Sequence, residues 1–246
     1  MDRLKNKVAL VTGASRGIGA AVARRLAKEG AAVAITYVAS ADAADRIVKE
    51  ILGDGGRAIA IEADSADERA INASVERTVS AFGGLDILVN NAGTMKFGHI
   101  LDLTTEDLDQ SLTINLRAAF LASKAAASHM TGEGRIVSIG SNLATRVPGP
   151  GLSVYALSKS GLIGMTQALA RDLGPEGITV NVVHPGSTDT DMNPADSEGA
   201  AHQRERMAIA RYNEPEDVAA LVAWLAGPEA RNVTGTAHTI DSGTNA

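Results

Sequence analysis

The chain has 246 residues, 45% of them hydrophobic and 21% charged, enough for a sizeable core and too apolar for a disordered, collagenous or mucin-like chain. It has no cysteine, which excludes disulfides, cysteine-ligated zinc, iron–sulfur clusters and thiol nucleophiles on chemistry alone. The formal charge is −6, from 29 acidic and 23 basic side chains with no Lys/Arg block, so a nucleic-acid or anionic-membrane surface would lack its electrostatic footing.

The opening MDRLKNKVALVTG is basic and then apolar, the outline of an export signal. Its apolar run ends within a few residues and leads into Gly13-Ala14-Ser15-Arg16-Gly17 instead of a small-residue cleavage site, so it reads as a buried first strand, Lys7 to Thr12. A helix from Gly17 to Glu29 follows. Further strands are predicted at Ala32 to Tyr37, Arg57 to Glu62, Ile87 to Asn90, Arg135 to Ile139, Thr179 to His184 and Ala237 to Ile240. Helical patterns between them cover Ala41 to Leu52, Asp67 to Phe82, Thr105 to His129, Val154 to Leu173 and Pro215 to Leu225.

Such alternation marks βαβ units around a mostly parallel sheet buried on both faces, with right-handed crossovers. The predicted class is α/β, a doubly wound sheet of seven strands in one domain over residues 1–246, since no linker, low-complexity tract or fixed repeat divides the chain. The polar, glycine-containing stretch from Gly186 to Arg211 is longer than an ordinary connection and is expected to act as a lid. Charge-free runs such as Gly30 to Ala41 fall short of the roughly 20 apolar residues of a membrane span. The protein is expected to be soluble and cytoplasmic. Asn72-Ala73-Ser74 and Asn232-Val233-Thr234 match a glycosylation acceptor pattern, which carries no weight without export.

The first strand opens into a G-x-x-x-G-x-G loop, Gly13 to Gly19, at the start of an alanine-rich helix. Free backbone N–H groups and the positive helix end suit a pyrophosphate there, and glycine lets the backbone approach phosphate oxygens. The same stretch reads literally as a G-x-S-x-G hydrolase elbow at Ser15. That reading fails, because only one strand precedes it and no Ser…Asp…His order follows.

In open α/β sheets ligands bind beyond the carboxyl ends of the strands. Those ends carry Gly13 to Gly19, Tyr37 to Ser40, Asp64, Asn90 to Gly93, Ser141, and Pro185-Gly186 with Thr190. Two helices add polar residues to apolar faces. Asn115 interrupts the stripe Leu108, Leu112, Ala119, and Lys159 shares a face with Tyr155, Leu162, Thr166 and Leu169. A cation four residues from a phenol would pull its ordinary pKa of roughly 10 downward.

T-G-x-x-x-G-I-G at Thr12 to Gly19, N-N-A-G at Asn90 to Gly93, Asn115, Ser141, Y-x-x-x-K at Tyr155 to Lys159, and Pro185-Gly186 run in order from the first strand to the last. In these the chain resembles the short-chain dehydrogenase/reductase family, and within it the 3-oxoacyl-carrier-protein reductase-like carbonyl reductases. The resemblance implies a Rossmann-type fold and hydride transfer between a nicotinamide cofactor and a ketone or secondary alcohol. It implies Tyr155 as acid or base, Ser141 on the substrate oxygen, Lys159 tuning Tyr155 and touching the nicotinamide ribose, and Asn115 anchoring a water toward Lys159. It further implies a cofactor set of Gly13, Ser15, Arg16, Gly17, Ile18, Gly19, Tyr37, Ser40, Asp64, Ser65, Asn91, Ala92, Gly93, Tyr155, Lys159, Pro185, Gly186, Thr188 and Thr190, with Asp64 on adenine, Asn91 on the ribose side and Thr190 on the carboxamide. No metal is implied.

NADP(H) is favoured over NAD(H). The second strand ends at Tyr37 without the carboxylate that would repel a 2′-phosphate, and the Arg16 guanidinium suits a phosphate fork, although Val38 stands where NADP-using relatives often carry a second base. The sequence departs from the family elsewhere too. The Ser141 to Tyr155 spacing is one residue longer than in many members, Ser65 replaces a branched apolar residue, and Asp241-Ser242-Gly243 stands for Asp-Gly-Gly. The substrate wall is expected from Met95, Phe97, Asn142, Leu143, Val147, Pro148, Leu152 and the Gly186 to Arg211 stretch, fitting a medium-sized ketone or keto ester. A homo-oligomer is implied, tetramer before dimer, through the long helices and the terminal strand with Trp224. Family members with a similar ending, including biofilm-dispersal proteins, imply an alternative, sequestration of a cyclic dinucleotide. The full Asn115, Ser141, Tyr155, Lys159 set argues against binding alone.

Overall fold

Side-chain alternation along the strands decides which helical layer each residue serves. In the computed structural model, which describes residues 3–246, the strands are β1 Val8–Val11, β2 Ala32–Tyr37, β3 Arg57–Glu62, β4 Ile87–Asn90, β5 Arg135–Ile139, β6 Thr179–Pro185 and β7 Ala237–Ile240. The first two residues of the 1–246 span lie outside the described residues. The helices are α1 Gly17–Lys28, α2 Ala41–Gly53, α3 Glu68–Phe82, α4 Thr105–Leu112, α5 Ala118–Ala127, α6 Ser153–Leu173, α7 Ala200–Arg204 and α8 Pro215–Ala226.

Ala9 and Val11 of β1 pack with Val33, Ile35 and Val89 against apolar faces of α1, α2 and α8. Val8 and Leu10, one residue out of phase, pack with Ala34, Leu88 and Ile136 against α3, α5 and α6. A period of two therefore feeds two cores on either side of one sheet. Small residues on α1 and α8, among them Ala20, Ala23, Ala219 and Ala223, are buried in the first of these cores.

The seven strands pair in parallel throughout the sheet, in the order β3-β2-β1-β4-β5-β6-β7. The order reverses between β1 and β4, which opens a crevice at their carboxyl ends. No helix among the described residues is long and apolar enough to cross a membrane.

The helix predicted over Thr105 to His129 runs unbroken from Thr105 to Ala127, but it carries a π-helical turn. α4 ends at Leu112, a π-helical turn covers Thr113–Arg117 with Ala118 N–H bonded to the Thr113 carbonyl, and α5 stops at Ala127. The extra residue in that turn places Asn115 against Thr94: its Oδ1 accepts from Thr94 N at 2.8 Å, and its Nδ2 donates to Thr94 O and Ser158 Oγ, both at 2.9 Å. Buried Asn90 ties α5 to the sheet by donating to Ser123 Oγ at 3.0 Å and Ser138 Oγ at 3.3 Å.

The stretch after β6 is more structured than its polarity predicts. It contains α7, and Ala200, Met207 and Tyr212 bury a small apolar cluster with Ala195. The Arg204 guanidinium lies 4.8 Å from the Tyr212 ring centroid. Two single bridges, Thr188 to Asn213 and Thr190 to Asn193, fold the stretch back on itself.

Candidate active site

A cleft of about 690 Å³ lies along the carboxyl ends of the strands. Its wall is built by Gly13, Ser15, Arg16, Gly17, Ile18 and Gly19 from the first loop, Tyr37 and Ser40 after β2, Asp64 and Ser65 after β3, and Asn91, Ala92 and Gly93 after β4. Ser141 after β5, Tyr155 and Lys159 on α6, and Pro185, Gly186, Thr188 and Thr190 after β6 complete it. Of the sequence-derived catalytic and cofactor residues, Asn115 alone is off this wall, behind Thr94 and Gly93. Met95, Phe97, Asn142, Leu143, Pro148 and Leu152 also line the cleft. Val147 does not; it points to solvent, 52% exposed.

The glycine loop is shaped for close backbone approach. Gly13 has φ +61°, and a Cβ there would stand 2.8 Å from the Ala92 Cα. A Cβ on Gly19 would overlap the Asn91 amide, whose Nδ2 donates to the Thr12 carbonyl at 2.9 Å and the Gly13 carbonyl at 3.0 Å. The Asn91 side chain thus shapes the loop and has its N–H groups committed there. Gly13 N donates to Thr36 Oγ1 at 2.9 Å, and Thr12 Oγ1 accepts from Asn91 N and Ala92 N at 3.0 Å. α1 starts with no side-chain cap and no acid in its first turn, so its leading N–H groups face the cleft as donors for phosphate oxygens. The cradle fits a dinucleotide pyrophosphate.

Arg16 reaches across the mouth to Asp191, Nη1 to Oδ2 at 3.4 Å, with side chains 66% and 72% exposed. The β2 end next to it, Tyr37 to Ser40, holds no carboxylate.

Lys159 is the buried cation of the site, 5% exposed, and its Nζ donates to the Ile139 carbonyl at 2.9 Å. Burial lowers its pKa to about 8. Its Nζ lies 6.0 Å from the Tyr155 ring centroid. Gly93 leaves room for this arrangement, since a Cβ there would be 3.2 Å from Asn115 Oδ1 and 3.3 Å from Lys159 Nζ.

Tyr155 corrects the expected electrostatics. Burial pushes the phenol above its ordinary pKa, and the neighbouring Ser141 hydroxyl pulls the other way without offsetting it. The ammonium is turned to Ile139, so desolvation dominates at the phenol. Ser141 Oγ also accepts from Leu143 N at 3.2 Å. Phe97 stands beside this group, its ring centroid 6.4 Å from that of Tyr155.

Sequence reasoning missed two supports of the Ser141 turn. His184 at the end of β6 is fully buried, and its Nδ1 accepts from Ser141 N at 3.0 Å. Asn245 in the terminal tail donates from Nδ2 to the Asn142 carbonyl at 2.7 Å and to Thr145 Oγ1 at 3.1 Å. The only signals were a histidine closing an apolar strand and the unusual residues after Asp241.

The sequence profile of the family described as Enoyl-(Acyl carrier protein) reductase matches residues 13–245. The chain is 48% identical over 241 residues to the cyclic-di-GMP-binding biofilm dispersal mediator protein of Escherichia coli, with 98% of each chain covered. It is 39% identical over 246 residues to a 3-oxoacyl-[acyl-carrier-protein] reductase of Synechocystis sp., covering 99% of this chain and 98% of the relative. A solved short chain dehydrogenase from Burkholderia cenocepacia in complex with NADP superposes with a TM-score of 0.98 at 62% identity, over 99% of this chain and 100% of that one.

Proposed function

The chain belongs to the short-chain dehydrogenase/reductase family, and from that premise we propose that it is an NADPH-dependent oxidoreductase interconverting a ketone and a secondary alcohol. The observation that carries this reading is the meeting of Ser141, Tyr155 and Lys159 in the same cleft as the glycine cradle. The NADP held by the Burkholderia cenocepacia relative supports the cofactor assignment, together with Arg16 and the acid-free end of β2.

When bound, the cofactor supplies the hydride and takes it back in the reverse direction. The protein's part is to hold the carbonyl and move a proton. The raised pKa of Tyr155 keeps its proton in place at neutral pH, the form needed to protonate a developing alkoxide. Ser141 Oγ, fixed by Leu143 N, orients the substrate oxygen toward that phenol. Lys159 carries its charge below pH about 8 and favours the phenolate left after proton transfer. Asn115 holds Thr94 and Ser158, and so the wall beside Lys159. The residues from 186 to 211 serve as the lid over substrate and nicotinamide, and Met95, Phe97, Leu143 and Leu152 favour an apolar side on the ketone.

The test is a ketone panel with NADPH and NADH, run on wild type and Arg16→Ala. Because Arg16 is given the 2′-phosphate, kcat/KM with NADPH should fall about tenfold or more in the variant, while NADH efficiency stays within about twofold. A clear NADH preference in the wild type would overturn the assignment. Asp191 pairs with the same guanidinium, so a 2′-phosphate would compete with it for that charge.

The similarity to the Escherichia coli mediator favours a second reading, a protein that sequesters a cyclic dinucleotide. Turnover with any ketone separates the two, since sequestration alone consumes no NADPH. The reading also includes a homotetramer. Phe120 on α5 and Leu157 on α6 are 47% and 54% exposed, and Trp224 on α8 stands edge-on to His238 of β7, which leaves apolar surface for a second copy. Light scattering should give four times the chain mass of 25.3 kDa. The reading takes the protein to be cytoplasmic, where NADPH is available to it.

A further inference from the structure

His184 takes no part in the chemistry above, yet no other histidine is so enclosed: it is 0% exposed, at the carboxyl end of a fully buried strand. β5 and β6 run in register, Ile139 beside Val183, and Gly140 N donates to the Val183 carbonyl at 2.7 Å. The next step of that register brings Gly140 against His184. A Cβ on Gly140 would overlap the imidazole at Nδ1 and Cε1, so the ring occupies space that only glycine leaves open.

The Ser141 amide donates to Nδ1 at 3.0 Å, which fixes the tautomer with the proton on Nε2. Nε2 is buried and has no hydrogen-bond partner among the described residues, so the ring's one polar contact is with Ser141. Ser141 itself is extended, φ −163° and ψ 149°, and starts the short turn Asn142–Ala144. Its amide is held by His184 on one side and its hydroxyl receives Leu143 N at 3.2 Å on the other. A buried amide that lost its acceptor would turn to find another, and the hydroxyl would turn with it.

We propose that His184 is a positioning residue whose neutral Nδ1 holds the Ser141 backbone and thereby sets the direction in which the Ser141 hydroxyl meets Tyr155 and the substrate oxygen. The proposal rests on the oxidoreductase reading for its effect on rate, and on geometry alone for its effect on the Ser141 amide. It makes Gly140 and His184 a matched pair, one residue clearing the space that the other fills.

The test compares His184→Leu, which keeps bulk and removes the acceptor, with His184→Asn, whose Oδ1 stands the same number of bonds from Cβ as Nδ1. His184→Leu should lose about 10- to 100-fold in kcat for ketone reduction, with NADPH affinity measured by fluorescence within about twofold. His184→Asn should stay within about threefold of wild type. In a Ser141→Ala background His184→Leu should cost less than about twofold more, because the hydroxyl it positions is gone. Full activity of a folded His184→Leu, multiplicative losses with Ser141→Ala, or a tenfold loss in a folded His184→Asn would each overturn the proposal.

Hydrogen exchange at the Ser141 amide gives a readout without substrate. Protection should drop in His184→Leu and persist in His184→Asn. If His184→Leu does not fold, His184→Asn decides by rate and by protection. Absence of turnover in the wild type would sink the oxidoreductase reading, while retained Ser141 protection in a folded His184→Leu would sink the positioning role, so the two failures are distinguishable.

Discussion

Tyr155→Phe is expected to lower ketone reduction by about 100- to 10,000-fold while NADPH affinity stays within about twofold. The substitution removes one oxygen and keeps the ring that lies tilted beside Phe97, at a centroid distance of 6.4 Å. What disappears is the phenolic oxygen beside the Ser141 hydroxyl and with it the proton for the developing alkoxide. The loss should fall on kcat, because an interaction made only at the transition state leaves ground-state binding alone. Steady-state rates with a reactive ketone, beside fluorescence titration of NADPH, measure both quantities. Turnover within threefold of wild type would remove the phenol from the mechanism and return the proton to water or to Lys159.

The elevated pKa of that phenol marks the limit of what spacing along a chain can tell. Tyr155 and Lys159 four residues apart announce a pair on one helix face, and the structure does bring both to the cleft. Spacing does not tell how much water remains around the oxygen, nor that the ammonium turns to the Ile139 carbonyl instead. The glycine loop was legible for the opposite reason. Positive φ and close approach are backbone demands that only glycine meets, so Gly13, Gly17 and Gly19 declare themselves in the sequence.

The sheet was legible because alternate residues of β1 and β4 must serve two cores, which produces continuous apolar runs. The π-helical turn was not, since its partner, Thr94, is 21 residues from Asn115 and contributes only backbone atoms. His184 was hidden by the same strand logic. A residue ending an apolar run before Pro185-Gly186 reads as a strand terminus, and nothing local reveals that its ring faces the amide 43 residues away. α7 escaped notice because it spans only Ala200–Arg204, and of the apolar cluster that holds it only Ala200 lies within the helix.

Lys159→Met should make the protein more stable and much less active. Among the described residues no carboxylate lies within 4 Å of the Lys159 ammonium, and its hydrogen-bond partner is the neutral Ile139 carbonyl, so it is a buried charge without a counterion. Its pKa falls from 10.5 in the unfolded chain to about 8 in the folded one. Between those values the unfolded chain holds a proton that the folded protein has released, so stability rises with pH across that window, and below pH 8 the full burial cost is present.

That cost is about 3 kcal/mol at neutral pH, and methionine, which fills the space without charge, should recover about 1–3 kcal/mol of it after the lost bond to Ile139 is allowed for. At this chain length the melting temperature should rise by about 2–4 °C for each kcal/mol recovered. The gain should shrink as pH is raised from 8 to 10.5, because wild type then sheds its charge on folding. Activity should move the other way. kcat/KM for NADPH in wild type should decline above pH about 8 as Lys159 loses its proton, and in Lys159→Met it should be low at every pH. A variant that melts below wild type at pH 7 would show that the bond to Ile139 outweighs desolvation, and that the lysine is kept for the fold. A variant that melts above it while losing turnover would show stability given up at this position for a cation beside the reacting phenol.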